Sequence, residues 1–122
     1  MASVIKWRDP NSSLPRDGET TTEWYAEYGF KHNYGHCFVM AGMFTEMAWT
    51  MGYDVKQVWG YVPSRRGGLT EHSWVEVNKN GTTYVCDPDF QYAYPAKNGY
   101  MFKYGTKGTW KYKLVGDVAT EG

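Results

Sequence analysis

The longest apolar stretch of the chain has the periodicity of a buried helix. One face carries residues at i, i+3, i+4, i+7 and i+11: Met40, Met43, Phe44, Met47 and Met51. A second apolar row runs beside it: Cys37, Ala41, Phe44 and Ala48. Few polar residues interrupt positions 38–51, so we predict a mostly buried helix with the other elements packed around it. Gly52 is placed to end this helix as its C′ residue.

The part of the chain after this helix is rich in β-branched and aromatic residues. It predicts strands at 55–62, 71–77 and 82–86. The second and third of these strands are joined by Asn-Lys-Asn-Gly at 78–81, which is a strong hairpin signal. A last pair of strands is predicted at 100–104 and 109–115. A helix followed by a run of strands is typical of an α+β domain in which an antiparallel sheet packs on a central helix.

The N-terminal part of the chain has a different composition. Residues 1–19 are rich in Pro, Asn, Ser, Asp and Gly, which predicts a loop or arm with Trp7 and Leu14 as its anchors. Residues 20–23, Thr-Thr-Thr-Glu, match a capping box. Aromatic residues follow before Gly29, so we expect a short helix there. The length of 122 residues fits one domain spanning 1–122.

Charge and hydropathy narrow the class of partner. The net charge is zero and the pI is about 6.8, so we expect neither nucleic acid nor an anionic membrane as a partner. No uninterrupted apolar run reaches the length of about 18 residues that a membrane-spanning helix needs. The first six residues lack the apolar region of a signal peptide. The compartment stays open, and a domain of a secreted or cell-surface parent is compatible with the sequence.

The chain has two cysteines, Cys37 and Cys86, whose spacing fits neither a disulfide framework nor a CxxC motif. Cys37 follows Gly35, which permits a sharp turn, and falls in the first turn of the predicted helix. Unpaired N–H groups and the positive end of the helix dipole stabilise a thiolate at this position. Cys37 is therefore well placed to be a nucleophile, although a small buried apolar role accounts for it equally well.

The predicted hairpin determines how the polar residues of its strands meet. A two-residue loop at Lys79-Asn80 places Asp87 directly opposite His72. A two-residue loop at Asn80-Gly81 places Asp87 opposite Trp74 and diagonal to His72. A three-residue loop puts the carboxylate and the imidazole on opposite faces unless a bulge intervenes. Both two-residue loops let the carboxylate orient the imidazole. Both loops also place Cys86 on the opposite face of the sheet from His72 and Asp87, so we expect Cys86 to be structural, reduced and unreactive.

Cysteine, histidine and aspartate in this order, with their neighbours, resemble the core of the transglutaminase-like superfamily over about residues 35–90. The matching motifs are Gly35-His36-Cys37, Ala41, Gly52-Tyr53, Gly60-Tyr61-Val62, His72-Ser73-Trp74-Val75-Glu76-Val77, Gly81 and Tyr84-Val85-Cys86-Asp87-Pro88. The resemblance implies a papain-like α+β fold in which a helix-borne cysteine faces a histidine and an aspartate on a sheet. It also implies roles: Cys37 as the nucleophile, His72 as the general base and then acid, and Asp87 as the residue that fixes the imidazole.

The implied reaction is acyl transfer through a thioester. A thiolate attacks an amide carbonyl, the histidine protonates the departing amine, and water or a lysine amine then resolves the thioester. The small chain leaves little room for an amine-specific site, which favours hydrolysis of a peptide or glutamine amide over cross-linking. The alternative is a catalytically silent peptide- or glycan-binding module of a surface protein, because related domains include such modules. We expect a peptide or protein partner and no cofactor.

The sequence leaves open which group is the second oxyanion donor and what role a pair of arginines has. The backbone N–H of Cys37 is one candidate donor, and Asn33, Tyr34 or a tryptophan is a candidate for the second. Arg65 and Arg66 lie in a Gly-rich loop just before the second predicted strand. Such a pair is usually solvated, and binding of a substrate carboxylate is the alternative. Trp59, Tyr61 and Trp74 are expected to be core or groove-wall residues.

The remaining histidines offer two weaker alternatives. His32 and His36 have the i, i+4 spacing of metal ligands and, with His72, are a candidate zinc site. Gly35 argues against a helix that would align them, and no carboxylate cluster supports the site. His36 is also a candidate base in place of His72, but a residue next to Cys37 at a helix start usually points elsewhere.

Overall fold

The structure is a computed structural model that describes residues 6–7, 20–32, 34–64 and 66–121. The helices are α1 (Thr22–His32), α2 (Cys37–Thr50) and α3 (Pro88–Ala93). The strands are β1 (Lys6–Trp7), β2 (Tyr34–Gly35), β3 (Val55–Pro63), β4 (Leu69–Lys79), β5 (Thr82–Cys86) and β6 (Lys113–Asp117). An antiparallel sheet of order β5-β4-β3-β6 packs against α2, and β1 and β2 form a separate parallel pair. The predicted α+β class is confirmed.

Most of the predicted N-terminal arm is not described by the structure. Of residues 1–19, only the backbone of the short strand β1 falls within the described ranges. The predicted anchor Leu14 lies outside them, as does the side chain of Trp7. The arm and the single domain over 1–122 therefore stay predictions.

The helix α2 is the central element that the apolar periodicity predicted. It is buried on all sides over residues 37–43. Its C-terminal end departs from the prediction, because Met47 is 42% and Met51 69% exposed. Gly52 ends the helix as predicted, with φ +85° and with its N–H and that of the next residue donating to α2 carbonyls at 3.0 Å. Across the described residues, no helix is long and apolar enough to cross a membrane.

The helix α1 packs on α2 and is longer than predicted. The Trp24 N–H donates to Thr21 Oγ1 at 3.1 Å, so Thr21 caps the helix rather than Thr20. The helix continues through Gly29, where the sequence suggested an end. A Cβ at this glycine would overlap the side chain of Met43 in α2. Gly29 therefore serves the close approach of the two helices instead of ending one of them.

The turn between β4 and β5 is the later of the two predicted two-residue loops. Lys79 pairs with Thr82, which leaves Asn80 and Gly81 as the turn. Both turn residues have positive φ, 54° and 80°, as a type I′ turn requires. The asparagine and glycine therefore fix the register of the whole hairpin.

This register sorts the polar residues of the hairpin onto two faces. Asp87 falls opposite Trp74 and diagonal to His72, on the same face as the imidazole. Cys86 pairs with Val75 and lies on the other face, where it packs against the helix α2. The predicted separation of the two faces is confirmed.

The last part of the chain does not form the predicted strand pair. Residues 100–104 make only an isolated bridge with β5, and β6 pairs with β3 instead of with residues 100–104. Phe102 and Tyr112 pack their rings on the sheet face that carries Trp74. Burial of these aromatic rings therefore sets the path of the segment, which β propensity alone did not reveal. Residues 109–112 reach the face that carries the imidazole as a result.

Candidate active site

A buried carboxylate–imidazole pair lies on the sheet face described above. His72 Nε2 and Asp87 Oδ2 are 2.7 Å apart, and both residues are buried. The same carboxylate oxygen accepts the hydroxyl of Tyr112 at 2.6 Å, and Oδ1 accepts the N–H of Phe90 at 3.1 Å. These bonds satisfy the buried charge and hold the carboxylate in one orientation. The imidazole ring is held in turn by its bond to Asp87.

The position of Asp87 is set by a helix start that the sequence prediction missed. The sequence predicts a strand at 82–86 and no helix directly after it, whereas the structure continues directly into α3. Asp87 is the N-cap of this helix and Pro88 is its first residue. An N-cap aspartate followed by proline at the first helical position is a recognised start signal. One carboxylate therefore both caps α3 and binds the imidazole.

Cys37 lies beside the imidazole. Donor atoms of Cys37, His72 and Asp89 all lie within 4.8 Å of one another. Because Nε2 of the imidazole is bonded to Asp87, Nδ1 is the nitrogen that faces the thiol. As the first residue of α2, Cys37 also has a backbone N–H without an intrahelical acceptor. The structure thus brings together the three residues that the sequence singled out, with His72 lying between Cys37 and Asp87.

The charge state of the imidazole suits a thiolate partner. Burial by itself lowers the pKa of His72, but the nearby charges of Asp87 and Cys37 and the hydrogen bonds to both outweigh it. The net effect raises the pKa of His72 well above its ordinary value of 6.5. The ring therefore holds its proton to a higher pH than an exposed histidine does.

A family comparison covers most of this site. The family model described as the transglutaminase-like superfamily matches residues 2–88, which is more than half of the chain and contains Cys37, His72 and Asp87. The chain belongs to the transglutaminase-like superfamily. A comparison with curated proteins gives no match for it. The superfamily match ends at Pro88, the first residue of α3, and does not include Asp89 or residues 109–112, so part of the site comes from outside the matched region.

Asp89, in the first turn of α3, is a site residue that the sequence reasoning missed. Its Oδ2 lies 3.7 Å from His72 Nδ1, and its side chain is 16% exposed. Burial raises the pKa of Asp89 to about 6, although His72 lowers it and Asp87 raises it further. The missed signal was the Asp-Pro-Asp sequence, because a helix starting at Pro88 turns both carboxylates towards one site.

Replacing Asp89 with asparagine should change how stability depends on pH. A carboxyl whose pKa rises on folding holds its proton more tightly when folded. The contribution of Asp89 to the free energy of unfolding is therefore fully present below its unfolded pKa of 3.8, and it is lost as the pH rises through its folded pKa of about 6. We expect the parent to lose about 1 to 3 kcal/mol more unfolding free energy than the variant across this range. Urea denaturation of both proteins at a series of pH values measures the difference, and parallel curves would contradict it.

Aromatic side chains of the 109–112 segment confine the imidazole. The ring of Trp110 meets that of His72 edge-on, with centroids 4.9 Å apart and an interplanar angle of 88°. The ring of Trp74 also stacks on the imidazole, with centroids 5.9 Å apart, and the ring of Tyr112 lies 6.1 Å away. No local sequence signal pointed to Trp110 or Tyr112, because only the tertiary path of the chain brings them here.

The Tyr112 hydroxyl should stabilise the fold through its bond to the buried carboxylate. Tyr112→Phe removes a donor to Asp87 but leaves the bonds from His72 and Phe90 in place. We expect a loss of about 1 to 3 kcal/mol in unfolding free energy, since the acceptor is charged and buried. The exposed Tyr53, changed to phenylalanine, is the matched control and should have little effect. Equal unfolding midpoints in urea for the two variants would contradict this role.

Cys86 has the properties predicted for a structural thiol. Both cysteines are buried free thiols in the structure. Burial raises the pKa of Cys86 to about 11, even though the N–H of Met101 donates to its sulfur at 3.3 Å. The thiol is therefore protonated at neutral pH and shielded from reagents.

Replacing Cys86 with alanine should leave thiol reactivity unchanged. At neutral pH the parent and Cys86→Ala should each take up one equivalent of iodoacetamide in the folded state at the same rate. The reason is that Cys37 lies beside His72, whereas Cys86 lies on the other face of the sheet, where burial raises the pKa of its thiol to about 11. Peptide mapping identifies the labelled residue. Loss of rapid labelling in Cys86→Ala would contradict the assignment.

The other histidines have structural environments of their own. His36 is the N-cap of α2, where its Nδ1 accepts the N–H of Phe38 at 3.2 Å. This role accounts for its place next to Cys37 without a role as base. His32 is exposed in the last turn of α1 and packs on Tyr28, with ring centroids 4.3 Å apart. Among the described residues, the predicted His32–His36–His72 grouping of metal ligands is not formed.

Several predicted contacts fall outside the described residues. Asn33 and Arg65 are not described, and neither is the side chain of Tyr34. Their predicted roles as oxyanion donors or carboxylate ligands stay predictions. Arg66 is described and exposed in the loop before β4.

The aromatic residues predicted as core or groove wall differ in their burial. Trp74 is fully buried, whereas Trp59 and Tyr61 are half-buried on β3. Trp59 packs against the hydrophobic cluster that contains Cys37. On the same face of β3, Gln57 is buried and donates to the backbone oxygen of Phe38 in α2 at 2.9 Å. This face of β3 therefore points to the first turn of α2.

Proposed function

We propose that this protein is a cysteine-dependent acyl-transfer enzyme acting on a peptide or glutamine amide. The observation that supports it most is the buried bond between His72 and Asp87 beside Cys37. Burying a carboxylate and an imidazole costs free energy unless both are fully bonded, and here they are oriented towards a thiol. A binding module has no use for such an arrangement.

The proposed reaction assigns one role to each residue. The thiolate of Cys37 attacks the amide carbonyl carbon and forms a tetrahedral intermediate. His72 gives the proton on Nδ1 to the departing amine as the C–N bond breaks, which leaves a thioester on the sulfur. The same nitrogen then takes a proton from water, which attacks the thioester and releases the acid. Asp87 accepts a hydrogen bond from the Nε2–H throughout and keeps Nδ1 pointing at the sulfur.

The oxyanion of the intermediate needs donors at the start of α2. The Cys37 backbone N–H is the first, because it has no acceptor within the helix. We assign the second to the indole N–H of Trp59, which packs against the cluster around Cys37. Gln57 lies on the same face of β3, but its amide already donates to a carbonyl of α2 and to Ser73. We therefore assign the role to Trp59 and not to Gln57.

Hydrolysis is the proposed outcome, rather than cross-linking. A chain of 122 residues leaves little surface for a second site that selects an amine. The test is incubation of the protein with glutamine-containing peptides, with and without a labelled primary alkylamine. We expect release of ammonia or peptide cleavage, little amine incorporation, and no product with Cys37→Ser. Dominant amine incorporation would contradict hydrolysis while keeping acyl transfer.

The alternative, a catalytically silent peptide- or glycan-binding module, predicts a different pair of results. No product would form with any peptide, and Cys37 would react with iodoacetamide like an ordinary thiol. That combination would overturn the proposed enzyme activity. Turnover lost in Cys37→Ser but kept in Cys86→Ala would exclude the alternative.

A further inference from the structure

The proposed mechanism leaves one residue of the site without a role. Asp89 presents a carboxylate oxygen 3.7 Å from His72 Nδ1, and the Cys37 sulfur completes a group whose donor atoms lie within 4.8 Å of one another. Sulfur, imidazole nitrogen and carboxylate oxygen are the donors that zinc sites use. We propose that Cys37, His72 and Asp89 form a zinc-binding site.

The spacing of the donor atoms fits a tetrahedral ion. Zinc bonds of about 2.0 to 2.3 Å place neighbouring ligand atoms about 3.3 to 3.7 Å apart. The Asp89–His72 separation of 3.7 Å is already close to this range. The Cys37 sulfur lies within 4.8 Å of the other two donor atoms, so it has to move closer to them by up to about 1 Å. Rotation of the Cys37 and Asp89 side chains supplies this movement. Solvent fills the fourth position.

The donor set selects the kind of metal. A thiolate with an imidazole suits zinc, whereas magnesium and calcium prefer sites made only of oxygen. Cys37 and His72 are both buried, and Asp89 is nearly so, which distinguishes the group from an exposed acidic cluster. The negative charges of the thiolate and the carboxylate together balance the dication.

The residues behind the imidazole complete the site. Histidines that bind zinc almost always donate their other ring N–H to a carboxylate or a carbonyl, which fixes the tautomer. His72 makes this bond from Nε2 to Asp87. Asp87 is itself held by Tyr112 and by the N–H of Phe90. The ring is therefore held with Nδ1 towards Cys37 and Asp89 before any metal arrives, and the metal replaces the proton on that nitrogen.

Zinc binding blocks the atoms that the reaction uses. The ion takes the Cys37 sulfur and His72 Nδ1, and the proton on that nitrogen is released to solvent. A zinc-bound protein is therefore inactive until the metal is removed. This inhibition rests on the proposed function, whereas the binding itself does not.

The test is a Co²⁺ titration of the reduced protein, followed by displacement with Zn²⁺. We expect one equivalent to bind, with the charge-transfer absorption of a cobalt–thiolate bond, and Cys86→Ala to match the parent. Asp89→Asn should weaken Co²⁺ binding by about 10- to 100-fold, because it removes a charged ligand but keeps the side-chain shape. Circular dichroism checks that each variant folds. A second readout on the parent is protection of Cys37 from iodoacetamide by Zn²⁺, reversed by EDTA.

Two results would overturn the site. The first is no cobalt–thiolate absorption in the folded parent. The second is equal Co²⁺ affinity in Asp89→Asn and the parent, which would reduce the site to a cysteine and a histidine. Both readouts are independent of turnover, so a protein that binds the metal but transfers no acyl group would contradict only the proposed function.

Discussion

Replacing His72 with alanine should return Cys37 to the behaviour of an ordinary thiol. At neutral pH, Cys37 of the variant should react with iodoacetamide more slowly than in the parent, because no imidazole remains beside the thiol. Turnover should fall by about 10³- to 10⁴-fold, since the same residue supplies general acid and base catalysis. Alkylation rates against pH and peptide turnover measure the two effects.

Folding has to be controlled in this experiment. His72→Ala leaves the buried Asp87 carboxylate without its imidazole partner, and an unpaired buried charge costs about 3 to 5 kcal/mol. His72→Gln is the matched variant, because its amide can still donate to the carboxylate but cannot titrate. Both variants should lose Cys37 reactivity equally. A reactive Cys37 in a folded His72→Gln protein would contradict the coupling.

The Asp87→Asn variant should separate orientation of the imidazole from its presence. The asparagine Oδ1 can still cap α3 by accepting the Phe90 N–H. An NH₂ group in place of Oδ2 cannot accept from His72 or Tyr112, and it favours the wrong imidazole tautomer. In serine proteases the analogous change costs about 10⁴ in turnover.

We expect a smaller loss here, of about 10- to 1000-fold, because a thiolate–imidazolium pair is already charged before the substrate binds. The lost Tyr112 bond should also cost about 1 to 3 kcal/mol of stability, which urea denaturation measures. Turnover, alkylation rate and circular dichroism are compared with the parent. A folded Asp87→Asn protein with parental turnover would show that the carboxylate does not orient the imidazole.

The sequence was informative where local rules fix the geometry. The apolar periodicity located α2, and Gly52 marked its end. The Asn80-Gly81 turn limited the hairpin to registers that place His72 and Asp87 on one face and Cys86 on the other. These rules need only neighbours in sequence or across one turn, which is why they succeeded.

The parts of the site that the sequence did not predict depend on distant packing. Trp110 and Tyr112 reach the imidazole only because the chain crosses the sheet face before it joins β3 as β6. Asp89 enters the site because Asp87 starts a helix there instead of ending a strand. Gly29 was taken for a helix end because its packing partner, Met43, lies on another helix.

The central claim is that His72 activates the thiol of Cys37. The most direct measurement is the rate at which iodoacetamide labels Cys37 at neutral pH in the folded, metal-free protein, compared with folded His72→Gln and with Cys37→Ser as the blank. We predict that the parent is labelled faster than His72→Gln, because only the parent has an imidazole beside the thiol. Equal labelling rates in the two folded proteins would contradict the coupling of Cys37 to His72 and the mechanism built on it.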